Sequence, residues 1–449
     1  MGKKILIVGG SAGGASTATR LRRLDKNAEI TMYEKGEYIS YSSCGLPYYI
    51  GDIITDKNNL ILKTPKSFKE KHNVNVKINS HVLEIDPKNQ NIKILSNHKI
   101  LTESYDYLIL SPGAKPFTDP IYNLASNKIF TLRTIDDADN IKSYIRNNNI
   151  KNALVIGGGY IGIEICENLK KIGLNVTVVQ SAPHILAPFD SDISELIENE
   201  LSKNGINLIL NDSAVSFNDK PDHIDVELKS NTVIRADMII LAIGIRPDID
   251  FLKNSGIALG SKGHIVVNDK MQTNFDNIYA LGDAVEICDF INKSKTAIAL
   301  APPTVKQADI VANNIMGIPS FYDGSLGSAL IKVFDLTCGS TGNNERTLKQ
   351  HNIPYKVVYT KSKSNAAYYP ESKTLKLKLI FNSEGYILGS QIIGYKGVDK
   401  RLDVISTIIS LKGTIFDAAK LQLAYAPAYS IPTDIVNSAA LKAISQLNS

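Results

Sequence analysis

The chain has 449 residues, too many for a single hydrophobic core, and this length predicts about three domains of ordinary size. It is 43% hydrophobic and 21% charged with a formal net charge of only +5, a balance that argues against a nucleic-acid-binding protein. No run of about 18 apolar residues is present, and only Met-Gly-Lys-Lys precedes the first apolar stretch, so we expect no membrane contact, no signal peptide and a cytoplasmic location.

The first recognisable element is a strand, turn, helix and strand spanning residues 5–34. In its glycine-rich turn, Gly9 and Gly14 fill the outer two of three fingerprint positions, and the small Ser11 fills the middle one. Such a turn lets the backbone approach a pyrophosphate, which the N–H groups of the following helix bind. Glu34 ends the second strand, where an acid hydrogen-bonds a ribose hydroxyl, although a solvated strand-end charge is the simpler alternative.

The segment that follows, residues 40–51, reads SYSSCGLPYYIG and contains Cys44. We expect Cys44 at the start of a helix, because Gly45 and Pro47 suit a chain that turns sharply into a first helical turn. A thiol at a helix N-terminus has a lowered pKa, and the thiolate is its reactive form. An isolated cysteine is more often a buried structural residue, but this context predicts a redox centre.

A second strand, turn, helix and strand spans residues 153–180, and its turn contains all three glycines, Gly157, Gly159 and Gly162. Two such units predict two dinucleotide sites and parallel sheets. The residue equivalent to Glu34 is Gln180. An acid there selects NADH and a nearby arginine selects NADPH, but residues 180–184 offer neither, so the sequence leaves that choice open.

Three further apolar segments each run into a small-residue turn. Residues 107–114 and 239–244 read as buried strands that mark crossings between domains, and the strand at 278–281 runs into Gly282-Asp283, which puts a carboxylate beside a ligand crevice. After about residue 325 the pattern is that of an α+β domain without a nucleotide signature. Its predicted strands are 329–334, 355–359, 376–381 and 387–393, and its predicted helices are 403–411 and 435–444.

The cysteines and histidines suggest no further centre. Cys166, Cys288 and Cys338 are far from one another and from Cys44, which argues against a disulfide framework, and we treat the three as structural. The seven histidines form no cluster with them, so we predict no metal site.

Taken together, these motifs resemble the pyridine nucleotide–disulfide oxidoreductase superfamily. The resemblance implies an α/β fold with two Rossmann-like domains, an FAD-binding domain at 1–115 and 245–325 and an NAD(P)-binding domain at 116–244. Residues 326–449 would form a C-terminal α+β interface domain that makes a homodimer. Two-cysteine members carry a second cysteine where this chain has Tyr49, and they carry a C-terminal histidine motif, whereas the last histidine here is His351. The chain therefore resembles the single-cysteine branch.

Within that branch, the segment around Cys44 is very similar to the motif of the coenzyme A–disulfide reductases. Tyr368-Tyr369-Pro370 and Tyr425-Ala426-Pro427 resemble the two tyrosine motifs of that family. The resemblance implies catalytic roles for Cys44, Tyr425 and Tyr368, with the tyrosines reaching the site from the partner subunit. Whether Tyr368 or its neighbour Tyr369 faces the site stays open, and ordinary packing is the simpler role for any one tyrosine among 20.

The resemblance also implies sets of binding residues. The expected cofactor contacts are Gly9, Gly10, Ser11, Ala12, Gly14, Glu34, Lys35, Ser43, Val82, Gly113, Gly157, Gly159, Tyr160, Ile161, Gly162, Gln180, Gly244, Asp283, Ala301 and Tyr425. The expected contacts with coenzyme A are Ser16, Arg20, Arg23, Ser40, Ser43, Lys71 and His72. Arginine suits the phosphates of coenzyme A, although Arg20, Arg22 and Arg23 also suit a solvated helix end.

The expected reaction is reduction of coenzyme A disulfide, or of related small disulfides, by NAD(P)H through FAD and Cys44. Peroxidases and oxidases of the branch carry a histidine in the first glycine turn, where this chain has Ala12. Loss of a general acid–base group costs about 10²–10⁴-fold in rate, so chemistry on O–O bonds is disfavoured. The alternatives are an NADH oxidase or peroxidase that cycles Cys44 through sulfenic acid, a persulfide or polysulfide reductase, and a flavoprotein that only binds or senses.

Overall fold

The computed structural model describes residues 2–118 and 126–448 of the chain. Residues 1, 119–125 and 449, which fall inside the predicted domain ranges, lie outside the described part. Within the described part, no helix has both the length and the apolar character needed to cross a membrane.

The helices and strands follow one another along the whole described chain. The helices are α1 Ala12–Leu24, α2 Leu46–Ile50, α3 Pro65–His72, α4 Ile135–Asn147, α5 Tyr160–Lys171, α6 Ser191–Lys203, α7 Ala301–Ile315, α8 Glu345–Gln350, α9 Val398–Ser410, α10 Ile415–Lys420 and α11 Ile435–Asn448. The strands are β1 Lys4–Val8, β2 Glu29–Tyr33, β3 Asn75–Lys77, β4 Ser80–Asp86, β5 Asn91–Ser96, β6 Lys99–Ser104, β7 Tyr107–Leu110, β8 Ala114–Pro116, β9 Ile129–Phe130, β10 Asn152–Ile156, β11 Asn175–Val179, β12 Asn207–Ile209, β13 Ala214–Asp219, β14 Ile224–Leu228, β15 Val233–Ala236, β16 Met238–Leu241, β17 Ile245–Pro247, β18 Ile265–Val266, β19 Ile278–Ala280, β20 Val285–Cys288, β21 Lys295–Thr296, β22 Ala329–Val333, β23 Leu336–Gly342, β24 Lys356–Lys363, β25 Thr374–Phe381 and β26 Ile387–Gly394.

The first sheet is parallel and has the strand order β19-β7-β1-β2-β3. Its central strand β1 is buried almost throughout, and helices α1 and α7 pack against each other beside the sheet. Continuous apolar strands covered by helices are the pattern expected of a parallel sheet. The strand from residues 278–280 lies beside the one from residues 107–110, so the first and the later part of the chain share this sheet.

The second sheet repeats this plan with the order β12-β11-β10-β16-β9, again parallel. Each unit also carries a three-stranded antiparallel sheet, β4-β5-β6 in the first and β13-β14-β15 in the second. The two chain crossings, β8 and β17, pair antiparallel with Ala114 opposite Pro247. The predicted boundaries at 115/116 and 244/245 fall at this ribbon, and the domain ranges stay a prediction.

The C-terminal region is an antiparallel sheet of order β22-β23-β26-β25-β24, covered by α9 and α11. Strand β26 is buried along its whole length because it lies in the middle of the sheet. The predicted class, α/β with two Rossmann-like units followed by an α+β domain, is therefore confirmed.

One buried cation joins the C-terminal region to the second unit. Lys378, on β25, has no exposed surface, and its ammonium group lies 2.9 Å from Asp190, 2.8 Å from Asp192 and 2.6 Å from Glu345. The three carboxylates approach one another within 4.8 Å, which is a spacing that can hold a metal ion. Here the lysine already supplies the positive charge, and the cluster links α6, α8 and β25.

Candidate active site

The first glycine turn has the geometry that a pyrophosphate needs. Gly9 has a φ of 98°, which favours glycine, and a side chain on Gly14 would meet the Gly9 carbonyl oxygen at 1.9 Å. Helix α1 begins at the exposed Ala12, and the side chain of its N-cap residue Ser11 makes no capping hydrogen bond. The Ser11 side chain therefore leaves the first N–H groups of α1 uncapped, and an uncapped helix N-terminus binds an anion favourably.

The second turn repeats these features. Gly157 has a φ of 109°, and a side chain on Gly162 would meet the Gly157 carbonyl oxygen at 1.9 Å. A Cβ atom on Gly159 would have no neighbour within 4 Å, so the surface at the middle position is open. Helix α5 begins here with the partly buried Tyr160 and Ile161, and no side chain of the described residues caps it.

Glu34 and Gln180, at the ends of β2 and β11, each accept a hydrogen bond from the glycine turn of their own unit. The N–H of Gly10 donates to Glu34 Oε2 at 2.8 Å, and the N–H of Gly158 donates to Gln180 Oε1 at 2.9 Å. The other oxygen of Glu34 accepts from the N–H of Gly36 at 2.8 Å. Both side chains therefore shape the turn in addition to any contact with a ribose.

Asp283 lies in a short 3₁₀ turn directly after β19, as its position behind an apolar strand predicts. Its carboxylate accepts a hydrogen bond from Arg133 at 2.9 Å, and Arg133 also donates to the carbonyl oxygen of Ala114 at 3.0 Å. No sequence pattern pointed to Arg133, which is 150 residues from its partner and belongs to no motif. Nearby, α7 begins at the exposed Ala301 without a side-chain cap.

The other expected cofactor contacts lie near the chain crossings, in β4 and directly after β2. Gly113 and Gly244 have φ values of 71° and 129° and directly precede the crossing strands. Val82 is buried in β4, beside a register shift in its pairing with β5. Lys35 is exposed and forms an ion pair with Asp248.

These residues fit FAD and a nicotinamide nucleotide. Helices α1, α5 and α7 each have at least 12 residues, and each presents a first turn that no side chain of the described part caps. Two of these helix ends follow glycine turns in which a Cβ atom would collide with backbone. Glu34, Gln180 and Asp283 add oxygen acceptors for ribose or ribityl hydroxyls at strand ends.

Cys44 is the exposed one among the four free thiols: Cys166 and Cys338 are buried and Cys288 is half-buried. Burial raises the pKa of both Cys166 and Cys338 and keeps them inert. Cys44 lies in the middle of a single 3₁₀ turn, residues 43–45, immediately before α2. This differs slightly from the predicted helix start, because α2 has only five residues and begins after Gly45.

The Cys44 segment is fixed by a backbone hydrogen bond to Leu60 and by the packing of helix α2 on the second unit. The N–H of Ser42 donates to the carbonyl oxygen of Leu60 at 2.9 Å, and a side chain on Gly45 would meet Leu60 at 2.4 Å. Helix α2 buries its apolar residues in the core of the second unit rather than the first. Tyr49, in the place of a second cysteine, donates to Asp139 at 2.9 Å, so its role here is structural.

Tyr48, four residues after Cys44, connects helix α2 to helix α5. The hydroxyl of Tyr48 donates to Glu164 Oε1 at 3.2 Å, and burial raises the pKa of both groups, so the tyrosine stays protonated. The negative charges of Glu164, Glu167 and a Cys44 thiolate raise the pKa of Tyr48 further. No motif reveals this pair, since its members are 116 residues apart.

Three of the expected substrate residues, Arg23, Lys71 and His72, lie in a basic cluster. Ser16, Arg20 and Arg23 occupy successive turns on one face of α1. Burial lowers the pKa of His72, and the positive charges of Lys63, Arg23 and Lys71 lower it further, so these four groups lie together. No sequence motif indicated Lys63 as part of this cluster, because it stands alone in a loop.

The neighbouring arginines have different roles. Arg20 donates to Asn313 at 3.2 Å and lies 3.8 Å from the carboxylate of Asp309, so it is partly neutralised. Arg22 is fully used by the fold, since it donates to five backbone carbonyl groups, those of His72, Asp25, Lys26, Ala28 and Asn73. Of the three arginines that close α1, only Arg23 has its side chain exposed beside Lys71 and His72.

Tyr425 and Tyr368 are brought together in the C-terminal region. The Tyr368 hydroxyl is near enough to raise the pKa of Tyr425, and the N–H of Ala366 donates to the carbonyl oxygen of Pro427 at 3.1 Å. Tyr368 is 79% exposed and Tyr425 is 47% exposed. Within residues 2–118 and 126–448, no hydrogen bond joins this pair to the Cys44 segment of the same chain.

Comparisons with known proteins agree with these features. Residues 3–308 match the family described as pyridine nucleotide-disulphide oxidoreductase, and residues 328–435 match the dimerisation domain of these proteins. A coenzyme A disulfide reductase of Staphylococcus haemolyticus is 37% identical over 445 residues, covering 98% of this chain and 99% of the relative. An NADH oxidase of Methanocaldococcus jannaschii is 35% identical over 447 residues, 99% of each chain. The crystal structure of reduced Bacillus anthracis CoADR-RHD has a TM-score of 0.97 and 42% identity, covering 100% of this chain and 81% of that chain.

Proposed function

Because the chain belongs to the pyridine nucleotide-disulphide oxidoreductase family, and is thus an NAD(P)H-dependent flavoprotein oxidoreductase, we propose that it reduces coenzyme A disulfide through Cys44. The observation that carries this proposal is the exposure of Cys44 in a segment bonded to the first glycine turn and packed on the second unit. The segment that carries Cys44 thus contacts both nucleotide units, and its thiol is exposed.

When bound, FAD would supply the two-electron chemistry that links NAD(P)H to the sulfur of Cys44. The residues that would hold FAD are those of the first turn, with Glu34 at the second strand and Asp283 after β19. The turn at 157–162 would hold the pyridine nucleotide. Arg133 positions Asp283 and balances its charge.

The sulfur chemistry is a thiol–disulfide exchange. The Cys44 thiolate attacks one sulfur of coenzyme A disulfide, forms a mixed disulfide and releases one coenzyme A thiolate, which takes a proton. Two electrons from NAD(P)H then break the mixed disulfide, releasing the second coenzyme A and restoring the Cys44 thiolate. One disulfide, one NAD(P)H and one proton give two thiols and NAD(P)⁺.

The basic surface formed by Arg23, Lys63, Lys71 and His72 suits the phosphates of coenzyme A. Ser16 and Arg20 extend it along α1, and Ser40 and Ser43 supply hydroxyl groups beside Cys44. The low pKa of His72 keeps its imidazole neutral near pH 7, so the lysine and arginine groups carry the charge.

We infer a homodimer in which Tyr425 and Tyr368 of one subunit complete the site of the other. The dimerisation-domain match and the exposed tyrosine pair support this arrangement. The raised pKa of Tyr425 keeps its hydroxyl protonated, and the Tyr425–Tyr368 pair would protonate the leaving thiolate. We also infer a cytoplasmic location, where thiols are kept reduced.

The second candidate is an NADH oxidase, because the Methanocaldococcus jannaschii relative is one. Anaerobic NAD(P)H consumption with coenzyme A disulfide, compared with consumption driven by oxygen or peroxide, separates the two reactions. Fast turnover with the disulfide and slow turnover with oxygen supports the proposal. The reverse pattern contradicts it, and fast turnover only with a persulfide would assign the enzyme to that substrate.

Coexpression of Cys44→Ser and Tyr425→Phe chains tests the shared site. If each site combines Cys44 of one chain with Tyr425 of the other, a mixed dimer keeps one intact site. Random pairing then gives about a quarter of the wild-type activity, while each variant alone is nearly inactive. Activity no higher than the mean of the two single variants would contradict a shared site.

A further inference from the structure

The two glycine-turn units place different side chains at the same point. In the first unit the carboxylate of Glu34 accepts the N–H groups of Gly10 and Gly36, both at 2.8 Å. In the second unit the amide oxygen of Gln180 accepts the N–H of Gly158 at 2.9 Å. The bond to the turn is the same in both units, and the difference between them is one negative charge.

Gln180 is held in a defined orientation. Its amide nitrogen donates to the carbonyl oxygen of His184 at 3.4 Å, and its backbone carbonyl accepts the N–H of Asp212 at 3.2 Å. Because its amide oxygen faces Gly158, Gln180 accepts the same hydrogen bond from the turn as a strand-end acid would. It does so without a negative charge.

The titratable side chains around Gln180 already have hydrogen-bond partners. His184 lies 3.2 Å from the carboxylate of Glu198, which also accepts the N–H of Ile185 at 3.1 Å. Asp212 accepts the N–H groups of Ser213 at 2.8 Å and Ser230 at 3.3 Å. Residues 181–183 are Ser, Ala and Pro, so this loop offers no cation to a phosphate and no carboxylate to a ribose.

We propose that Gln180 makes the second unit accept NADH and NADPH with nearly equal affinity. This inference rests on the proposed function and names its electron donor. A carboxylate at this point would bind the ribose hydroxyls of NADH and repel the 2′-phosphate of NADPH, whereas an arginine would bind that phosphate. The neutral amide hydrogen-bonds a hydroxyl and does not repel a phosphate, so the site discriminates against neither.

Isothermal titration of the FAD-loaded protein with NAD⁺ and NADP⁺ tests this directly. We expect the two dissociation constants to agree within tenfold in the natural protein. Gln180→Glu keeps the acceptor for Gly158 and restores the charge that Glu34 has in the first unit. It should weaken NADP⁺ binding relative to NAD⁺ by at least tenfold. Gln350→Glu, which adds the same charge at an exposed position on α8, should leave the ratio unchanged.

A natural preference above tenfold for either nucleotide would overturn the proposal, as would a Gln180→Glu variant that weakens both nucleotides equally. Ser181→Arg provides an independent check should Gln180→Glu fail to fold. It should strengthen NADP⁺ binding at least tenfold relative to NAD⁺, and an unchanged ratio would count against the proposal. Because no disulfide is present, a protein that binds both nucleotides but does not reduce coenzyme A disulfide would refute only the proposed reaction.

Discussion

The backbone N–H of Ser40 donates a hydrogen bond to the carbonyl oxygen of Gly10 at 2.9 Å. This bond ties the segment that carries Cys44 to the first glycine turn, and the carbonyl oxygen of Ser40 in turn accepts the N–H of Leu62 at 2.9 Å. The backbone at the start of the Cys44 segment is therefore fixed by contacts on both sides of Ser40. Ser40 adopts a φ of 46° here, a conformation in which glycine is favoured over serine.

Ser40→Gly is expected to separate the structural and substrate roles of this residue. The backbone hydrogen bonds remain and the unfavourable φ is relieved. FAD should therefore be retained, and the free energy of unfolding should stay within about 1 kcal/mol of that of the natural protein. Loss of the hydroxyl should raise KM for coenzyme A disulfide with little change in kcat, measured by steady-state kinetics. Ser40→Ala is the matched control, because it removes the same hydroxyl without relieving the strain. A large fall in kcat for both variants would contradict a binding role.

The Tyr48–Glu164 pair predicts a pH dependence of stability. Burial raises the pKa of Glu164 above its ordinary value of 4.5, so the folded protein holds that proton more tightly than the unfolded chain. The ionised carboxylate thus lowers stability progressively as pH rises from about 4.5 to the raised pKa. Glu164→Gln keeps an acceptor for Tyr48 but carries no charge.

We therefore expect the free energy of unfolding of Glu164→Gln, relative to the natural protein, to increase over this pH range and then level off. Urea denaturation at a series of pH values between about 4.5 and 8 measures the trend. Glu195→Gln, which changes an exposed carboxylate on α6, should show no such trend. A difference that is flat or falls with pH for Glu164→Gln would show that this carboxylate is not destabilised by burial.

Lys378→Met is expected to destabilise the junction between the second unit and the C-terminal region. Removal of the ammonium group leaves Asp190, Asp192 and Glu345 close together without a cation, and breaking a buried ion pair costs about 3–5 kcal/mol. Differential scanning calorimetry should show a lower and less cooperative transition. Lys376→Met is the control, since Lys376 is exposed two residues earlier on the same strand. Equal effects of the two changes would argue against the cluster as a structural link.

Local sequence patterns were sufficient for the elements whose shape depends on nearby residues. The two glycine turns follow from spacing, and the predicted strand at 376–381 and helix at 435–444 lie within the observed Thr374–Phe381 and Ile435–Asn448. The small antiparallel sheets β4-β5-β6 and β13-β14-β15 were not predicted, because their short strands are only partly apolar.

Contacts between distant parts of the chain could not be read from the sequence. Helix α2 packs into the core of the second unit although it follows the first, and Arg133 reaches Asp283 across 150 residues. A lysine is ordinarily exposed, so nothing in the sequence marked Lys378 as fully buried. The closeness of Tyr425 to Tyr368 likewise depends on how two separate loops meet.

Mass spectrometry of the Cys44 peptide tests the central claim most directly. The FAD-loaded protein is first reduced with NAD(P)H without oxygen, freed of nucleotide and then mixed with coenzyme A disulfide. We predict one adduct with the mass of coenzyme A, located on Cys44, lost again on addition of NAD(P)H and missing from Cys44→Ser. An unmodified Cys44, or an adduct on the half-buried Cys288 instead, would contradict the account.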